Sequence, residues 1–210
     1  NVDGTGLTQL TNDTSNNLNA CWLPDGGIAF ISDRKPAYAY CYVVTSPVLY
    51  RMDRDGNNQK RLSSNYLMDF TPSVLNDGRI IYTRWEYVDK EVIRVQSLWT
   101  VNPDGTGLSA FWGNQSRWPD MLLNARLIPG TRKVLFSAVG HHDAYAGPLG
   151  IVDQNGGINY PDGVYNLTPH LPWAEVGAGP ADQVVNPDFQ APKCYMAFQT
   201  PFPISRDLML

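Results

Sequence analysis

The sequence has few of the residues from which most catalytic and metal sites are built. It contains three histidines and three cysteines in 210 residues. It has no Cys-x-x-Cys-His motif, which would attach a c-type haem, no Gly-x-Ser-x-Gly motif and no glycine-rich phosphate loop. Nothing in these 210 residues therefore indicates a nucleophilic triad, a nucleotide site or a self-attached haem.

Charge and long apolar runs are also scarce. Charged residues make up 17% of the chain and the net charge is −4, so the basic footprint of a nucleic-acid-binding protein is missing. Because no run of about 18 apolar residues occurs, we expect no membrane span. Apolar residues make up 43% of the chain and are joined by 18 glycines and 16 prolines, as a turn-rich all-β chain requires.

Turn signals recur with a period near 50 residues. One series is Asp25-Gly26, Asp77-Gly78 and Pro129-Gly130, each 52 residues after the last; a second is Asp3-Gly4, Asp55-Gly56 and Asp104-Gly105, spaced by 52 and 49. Asp-Gly between alternating apolar residues predicts a tight hairpin, because glycine accepts the positive φ of the turn. Two hairpins in each period predict a unit of four antiparallel strands.

The apolar pattern between these turns completes the unit. In the clearest copy we predict strands at 72–75, 79–84, 96–101 and 108–111. The second strands of three units, 28–32, 80–83 and 134–137, are nearly continuous apolar runs, as expected of strands covered on both faces. A period near 50 residues with four strands per unit predicts a β-propeller.

The chain is therefore predicted to be an all-β partial propeller. We expect blades at 16–63, 69–113 and 121–169, the fourth strand of a preceding blade at 7–11, a connector at 170–194 and the start of another blade at 195–210. An open half-ring would expose long strand edges, so we expect a larger polypeptide or a partner chain to close it. The alternative is a small four-bladed ring that uses strand 7–11 to complete its last blade.

Long loops occupy one position in three successive blades, at 33–48, 85–95 and 138–148. They should meet on one edge of the propeller, where loops on a rigid scaffold usually form sites. The third loop carries His141, His142, Asp143 and Tyr145, whose nitrogen and oxygen donors suit zinc or iron. The alternative is that His142 and Tyr145 only bond backbone groups and pack against the neighbouring loop.

The cysteines leave two possibilities open. Cys21 begins an inner strand and fits an inert buried thiol, while Cys41 in the first loop is either a ligand or half of a disulfide. The Asp-Gly turns have some likeness to calcium-binding loops, but turn geometry already explains why they recur in each blade.

The repeat resembles the TolB-type propeller repeat. The resemblance rests on Asp-Gly followed by Leu-Thr, then Pro-x-x-x-x-Asp-Gly-x-Ile-x-Tyr, which is seen in full at 72–82. It covers nearly the whole chain and implies a propeller that serves as an extracytoplasmic binding scaffold. Several enzymes carry such a propeller as an accessory domain.

A closer resemblance is to the propeller of the hydrazine synthase alpha family and its planctomycete-type relatives. It rests on residues 71–90, 98–106, 128–136, His141-His142 and 201–205. The resemblance implies part of a six-bladed ring in a multihaem redox complex that makes hydrazine from nitric oxide and ammonium. It also implies a periplasm-like or anammoxosome-lumen location, with other subunits or the rest of a longer polypeptide as partners.

The same resemblance implies two cofactors, a haem c with a tyrosine ligand and a zinc ion held by histidine and cysteine. Carried onto this sequence, Tyr145 is the haem ligand and His141 a zinc ligand, with His142 as a further candidate and either Cys21 or Cys41 as the thiolate. The missing haem-attachment motif departs from the family pattern. Either that motif lies beyond Leu210, or the chain is a haem-free relative.

Two other functions remain open on the sequence alone. A non-catalytic TolB-like propeller would bind a protein or glycan through an exposed aromatic patch built from Tyr38, Tyr40, Tyr42, Trp85 and Tyr87. A hydrolase accessory propeller would depend on a catalytic domain outside these 210 residues.

Overall fold

The computed structural model of the chain describes residues 3–35, 37–39, 43–90, 94–141, 145–174 and 198–210. Within them it is all-β, with one short 3₁₀ turn at Gln154–Gly156 and no α-helix. The strands are β1 (Asn17–Trp22), β2 (Ile28–Ser32), β3 (Val48–Met52), β4 (Lys60–Arg61), β5 (Asp69–Val74), β6 (Ile80–Trp85), β7 (Gln96–Val101), β8 (Ser109–Trp112), β9 (Met121–Leu127), β10 (Val134–Val139), β11 (Leu149–Val152) and β12 (Val164–Asn166). No helix long and apolar enough to cross a membrane occurs in these ranges.

The strands form three antiparallel meanders of four strands each. β1 to β4 pair in chain order as one sheet, β5 to β8 pair in the same order, and so do β9 to β12. The second and third meanders meet at one parallel pair, Gln96 with Met121. Consecutive four-stranded meanders with their first strands adjacent are the arrangement of a partial β-propeller, which confirms the predicted fold class.

Two apolar layers lie between the meanders and explain the apolar second strands. In β2, Ala29 and Ile31 face the layer shared with the second meander, whereas Ile28 and Phe30 face the opposite side. In β6, Ile80 and Tyr82 face that same shared layer, while Ile81 faces the third meander. Because each second strand is covered on both faces, its sequence is a continuous apolar run rather than an alternating one.

The Asp-Gly turns have one repeated geometry. The amide nitrogen of each glycine donates to the carbonyl oxygen three residues earlier, at 2.9 to 3.0 Å, in Gly26, Gly56, Gly78 and Gly105. The φ angles of these glycines lie between 84° and 91°, in the left-handed region that glycine adopts without a Cβ clash. The aspartate of each turn accepts a hydrogen bond from the backbone nitrogen two residues later, at Gly27, Asn57, Arg79 and Thr106.

The first strand of each meander carries a bulge. The pairing register shifts within β1, β5 and β9, and each bulge contains one non-glycine residue with positive φ: Asn19 at 52°, Thr71 at 44° and Asn124 at 54°. Asparagine tolerates this conformation, but a β-branched threonine does so only under strain. The side-chain oxygen of Thr71 accepts a hydrogen bond from the backbone nitrogen of Asn124, at 3.0 Å.

At the ends of the chain, the expected strand at 7–11 is corrected, while the start of a further blade at 195–210 stays a prediction. Residues 7–11 do not form a strand; Leu10 instead packs against the outer face of the first meander, because its apolar side chain fits beside Ile28, Phe30 and Met52. In the described part of 195–210 there is no regular strand, only the isolated pairs of Phe198 with Gly147 and of Pro203 with Met209.

Candidate functional site

All three long loops lie at one edge of the propeller, which we call the rim. β2, β6 and β10 run toward it, and the loops 33–47, 86–95 and 140–148 begin where these strands end. The Asp-Gly turns all lie at the other edge, which we call the turn edge, because each turn joins strands at the end opposite to a rim loop. The antiparallel topology alone therefore places the three long loops identified in the sequence at the same edge.

His141 is the centre of the described part of the rim. It follows β10 and is buried, with its ring edge-on to Trp85 at a centroid distance of 4.9 Å. Its Nδ1 lies 2.7 Å from Nε2 of Gln96, which is also buried and begins β7. The backbone nitrogen of Gln96 donates to the carbonyl oxygen of Asp120, at 3.1 Å. Side chains of the second meander thus fix the imidazole at the end of a strand of the third.

The orientation of the Gln96 amide decides which chemistry His141 can perform. An amide nitrogen only donates, so Nδ1 accepts this bond and a neutral ring carries its proton on Nε2. A metal-ligating histidine usually has the opposite arrangement, because its second nitrogen donates to an oxygen acceptor. His141 becomes a suitable zinc ligand through Nε2 when the amide is reversed and Oε1 of Gln96 accepts from Nδ1.

Tyr145 lies on the same loop as His141 but faces solvent. It is 58% exposed, and its φ of 56° places a bulky residue in the left-handed region. The next residues anchor the loop: Ala146 is buried, and Gly147 exchanges backbone hydrogen bonds with Phe198 at 3.0 and 3.1 Å. Strain of this kind persists where surrounding structure imposes it, often at binding sites. The loop therefore projects a phenol outward from a fixed base.

The aromatic patch expected for partner binding is only partly exposed. Tyr38 is 61% exposed, at the isolated pair that Tyr38 forms with Thr45. Trp85 is only 5% exposed, so the expectation that it belongs to an exposed patch is wrong. It packs with Ala39 and Leu67 and contacts the half-buried Tyr87 edge-on at 5.3 Å. Tyr40 and Tyr42 lie outside the described residues.

A buried carboxylate lies at the rim end of β5. Asp69 begins β5 and is 1% exposed. Its Oδ2 accepts from the backbone nitrogen of Leu49, at 3.0 Å, and its Oδ1 from the side-chain nitrogen of Asn65, at 3.1 Å. Burial raises the pKa of Asp69 to about 6, although these bonds and the charge of Arg84 act in the opposite direction. Asp69 thereby joins the first meander to the second.

An ionic cluster holds the loop of the second meander. Glu86 accepts from Nε of Arg84 at 2.7 Å and from Nζ of Lys90 at 2.8 Å, and Lys90 also donates to Asn114 at 2.8 Å. Both cations lie over the ring of Trp99, at 5.3 and 5.9 Å from its centre. Burial alone would raise the pKa of Glu86, but the hydrogen bonds from Lys90 and Arg84 hold it below its usual range.

The candidate zinc ligands do not all meet. Cys21 lies at the turn-edge end of β1, where burial raises the pKa of its thiol to about 11, while His141 lies at the rim. These two residues therefore do not fit one zinc ion, which needs a deprotonated thiolate close to the imidazole. No group of three histidine, cysteine, aspartate or glutamate side chains within the described ranges could hold a metal. Cys41 and His142 lie outside those ranges.

Sequence reasoning missed Gln96 and Asp69. Asp69 had a usable signal, since Asp120 occurs 51 residues later, next to the start of the following first strand, and both are buried. Gln96 had none, because a glutamine at the start of a strand is indistinguishable from a solvent-facing one until its neighbour His141 is known.

A comparison with a solved structure supports the fold. The structure is similar to Kuenenia stuttgartiensis hydrazine synthase, with a TM-score of 0.58 and 15% identity over 80% of this chain and 29% of that one. A tricorn protease structure gives a TM-score of 0.47 and 14% identity, over 75% of this chain and 15% of that one. No protein-family model and no curated protein sequence matches the chain.

The chain spans less than a third of the hydrazine synthase chain that it matches, at 29% of its length. At 15% identity this likeness shows a shared propeller fold.

Proposed function

We propose that this chain is the propeller portion of a haem-containing redox subunit related to the hydrazine synthase alpha subunit, and that its rim positions the cofactor. The observation that carries the proposal is Tyr145, a solvent-facing phenol on a loop whose base is fixed through buried His141. The propeller fold shared with hydrazine synthase supports the proposal, as does the resemblance of the sequence motifs to that family.

The chemistry of Tyr145 suits an axial ligand. Tyrosine is an established protein ligand of haem iron, and Tyr145 exposes more than half of its surface. Because the chain has no Cys-x-x-Cys-His motif, we propose that another part of the polypeptide or another subunit attaches the porphyrin. When bound there, haem iron would supply one-electron redox chemistry. The loop's own contribution is to hold the phenol at a constant position.

A zinc ion is the second part of the proposal. We propose His141, Cys41 and His142 as its ligands and leave out Cys21, because Cys21 lies at the turn edge. With the Gln96 amide reversed, its Oε1 would accept a hydrogen bond from Nδ1–H of His141 and so orient the imidazole.

The test is the ferric absorption spectrum of the native full-length protein with Tyr145→Phe, compared with Tyr38→Phe. Both tyrosines are exposed on the rim, at 58% and 61%, so the two variants remove the same hydroxyl from similar surroundings. We expect Tyr145→Phe to abolish the phenolate-to-iron charge-transfer band and to shift the Soret maximum, while Tyr38→Phe changes neither. Identical spectra for Tyr145→Phe and the wild type would contradict the ligand assignment.

A second candidate function is partner binding by the rim without a cofactor. It is favoured by three exposed side chains on successive rim loops: Tyr38, Val88 and Tyr145. Under this alternative the native protein contains no haem, and Tyr38→Ala and Tyr145→Ala both weaken binding to the same partner. The two candidates therefore predict different results for Tyr38. Its substitution leaves the haem spectrum unchanged under the first candidate and weakens partner binding under the second.

A further inference from the structure

A cavity opens at the turn edge, close to where the first strands of the meanders converge. Its volume is about 460 Å³. Four residues that line it, Cys21, Ser73, Arg126 and Phe202, occupy equivalent positions of successive repeats. Each lies two residues after a residue with left-handed backbone, namely Asn19, Thr71, Asn124 and Thr200. The same local geometry thus places four chemically different side chains around one cavity.

The bulges explain why these side chains reach the cavity. A bulge adds a residue to one strand and changes the direction of the side chains that follow it. The bulge of β9 leaves Ala125 buried and Arg126 half-buried against the cavity, while the hydroxyl of Ser73 donates to the carbonyl oxygen of Ala125. Arg126 also lines the smaller space beside the bulges themselves, with Asn19, Thr71 and Asn124.

Arg126 is the cationic side chain among these four. Its guanidinium lies over the ring of Phe202, 5.2 Å from the ring centre. Within the ranges that the structure describes, this group forms no ion pair and no hydrogen bond. By contrast, Arg51, Arg79 and Arg84 each contact a carboxylate within 2.9 Å. A half-buried guanidinium whose one partner is an aromatic ring has lost part of its hydration without the compensation of an anion.

The geometry favours one kind of partner. The ring of Phe202 contacts the cation by its π-face, which leaves the donors along the guanidinium edge for another group. Those donors match the two oxygens of a planar carboxylate in a bidentate pair. The remaining lining combines apolar side chains, among them Trp22, Val74 and Leu127, with the polar side chain of Asn76.

We propose that this cavity binds a small organic carboxylate, with the carboxylate paired to Arg126 and the apolar part of the ligand beside Phe202 and Trp22. The site lies at the edge opposite to the rim and goes beyond the redox role proposed there. Cys21 is a natural reporter of occupancy, because its thiol lines the same cavity.

The experiment titrates 4-fluorobenzoate into the native full-length protein and follows its ¹⁹F NMR signal, with uncharged 4-fluorobenzamide as the ligand control. We expect saturable binding of the benzoate, with a dissociation constant on the order of 1 mM for one charge-assisted pair and one ring contact. Arg126→Gln should weaken it at least about tenfold, since the bidentate pair is lost. Arg132→Gln is the matched control, because this exposed arginine lines the adjoining groove, and it should leave affinity within about twofold.

A second readout uses the wild-type protein and does not depend on any variant folding. Benzoate, but not benzamide, should slow alkylation of Cys21 by iodoacetamide, as mapped by mass spectrometry. The proposal is overturned if the wild type shows no saturable benzoate binding, which is also the result expected if an acidic side chain elsewhere in the polypeptide occupies Arg126. Equal binding by wild type and Arg126→Gln, or equal protection of Cys21 by both ligands, would overturn it as well.

Discussion

The two edges of this propeller are built in different ways. At the turn edge, four Asp-Gly turns repeat the same hydrogen bond and the same φ near 84° to 91°. At the rim, the loop between the second and third strands differs from one meander to the next. The first loop has an isolated strand pair at Tyr38, the second an ionic cluster around Glu86, and the third a buried histidine. The three meanders are therefore alike at the turn edge and differ from one another at the rim.

The two edges also differ in how much they contribute to the stability of the fold. The turn-edge aspartates are exposed, and local hydrogen bonds hold their pKa values below the usual range at Asp25, Asp55, Asp77 and Asp104. The rim instead buries Trp85, Gln96, His141 and Asp69 among residues from two meanders. Substitutions at the rim should therefore cost more stability than matched substitutions at the turn edge.

Two tryptophans give the largest expected contrast. Trp85 is 5% exposed at the rim, whereas Trp22 is 62% exposed at the turn edge. We expect Trp85→Ala to lower the free energy of unfolding by about 3–5 kcal/mol, because it removes a core side chain that contacts His141 and Tyr87. Trp22→Ala should cost less than about 1 kcal/mol. Urea denaturation measures both values, and equal losses would contradict the proposed difference between the edges.

Two aspartates should respond to pH with opposite sign. The pKa of Asp69 is about 6 in the folded chain, above its ordinary value of 3.8. Its protonated form is therefore favoured by folding, and this contribution is full below about pH 4 and lost as pH rises through 6. We expect the wild type to lose on the order of 2 kcal/mol relative to Asp69→Asn between pH 4 and pH 6.5.

Asp55 provides the control for this titration. The backbone hydrogen bond from Asn57 lowers its pKa, so its contribution is present above the ordinary value and is lost as pH falls. Asp55→Asn should show little dependence between pH 4 and pH 6.5. If Asp69→Asn and Asp55→Asn gave parallel stability curves, Asp69 would not be the buried group described here.

Two turn glycines give the smallest contrast. Gly26 and Gly56 have φ angles of 84° and 87°, but no atom lies within 4 Å of a Cβ at Gly26, whereas one at Gly56 would clash with the carbonyl oxygen of Leu10. Gly26→Ala should cost about 1 kcal/mol for backbone strain alone. Gly56→Ala should cost about 1 kcal/mol more, as measured by thermal unfolding. The same cost at both positions would mean that residues 7–11 do not rest on this turn.

Much of the fold could be predicted from the sequence, because it depends on local geometry that recurs. The limits of β2 and β7 agree with the predicted strands 28–32 and 96–101, and the turns between the strands agree with the glycine positions. The expected strand at 7–11 was wrong because strand formation needs a neighbouring edge. In the described structure Leu10 finds an apolar face instead.

The site could be predicted less well. The sequence correctly indicated which loops share the rim, since topology alone decides that. It could not show that Trp85 is buried, because its cover comes from Ala39 and Leu67 in other parts of the chain. Nor could it show that Arg126 forms no ion pair within the described ranges, because charge pairing depends on side chains brought together by the fold.

The most direct test of the account is whether the native full-length protein contains haem. The measurement is its visible absorption spectrum, together with a haem stain after denaturing electrophoresis. The proposed redox role predicts a Soret band from the native protein, and a stained band if the porphyrin is covalently attached to the same polypeptide. A featureless visible spectrum from protein purified with its partner subunits would contradict that role and leave the rim as a binding surface.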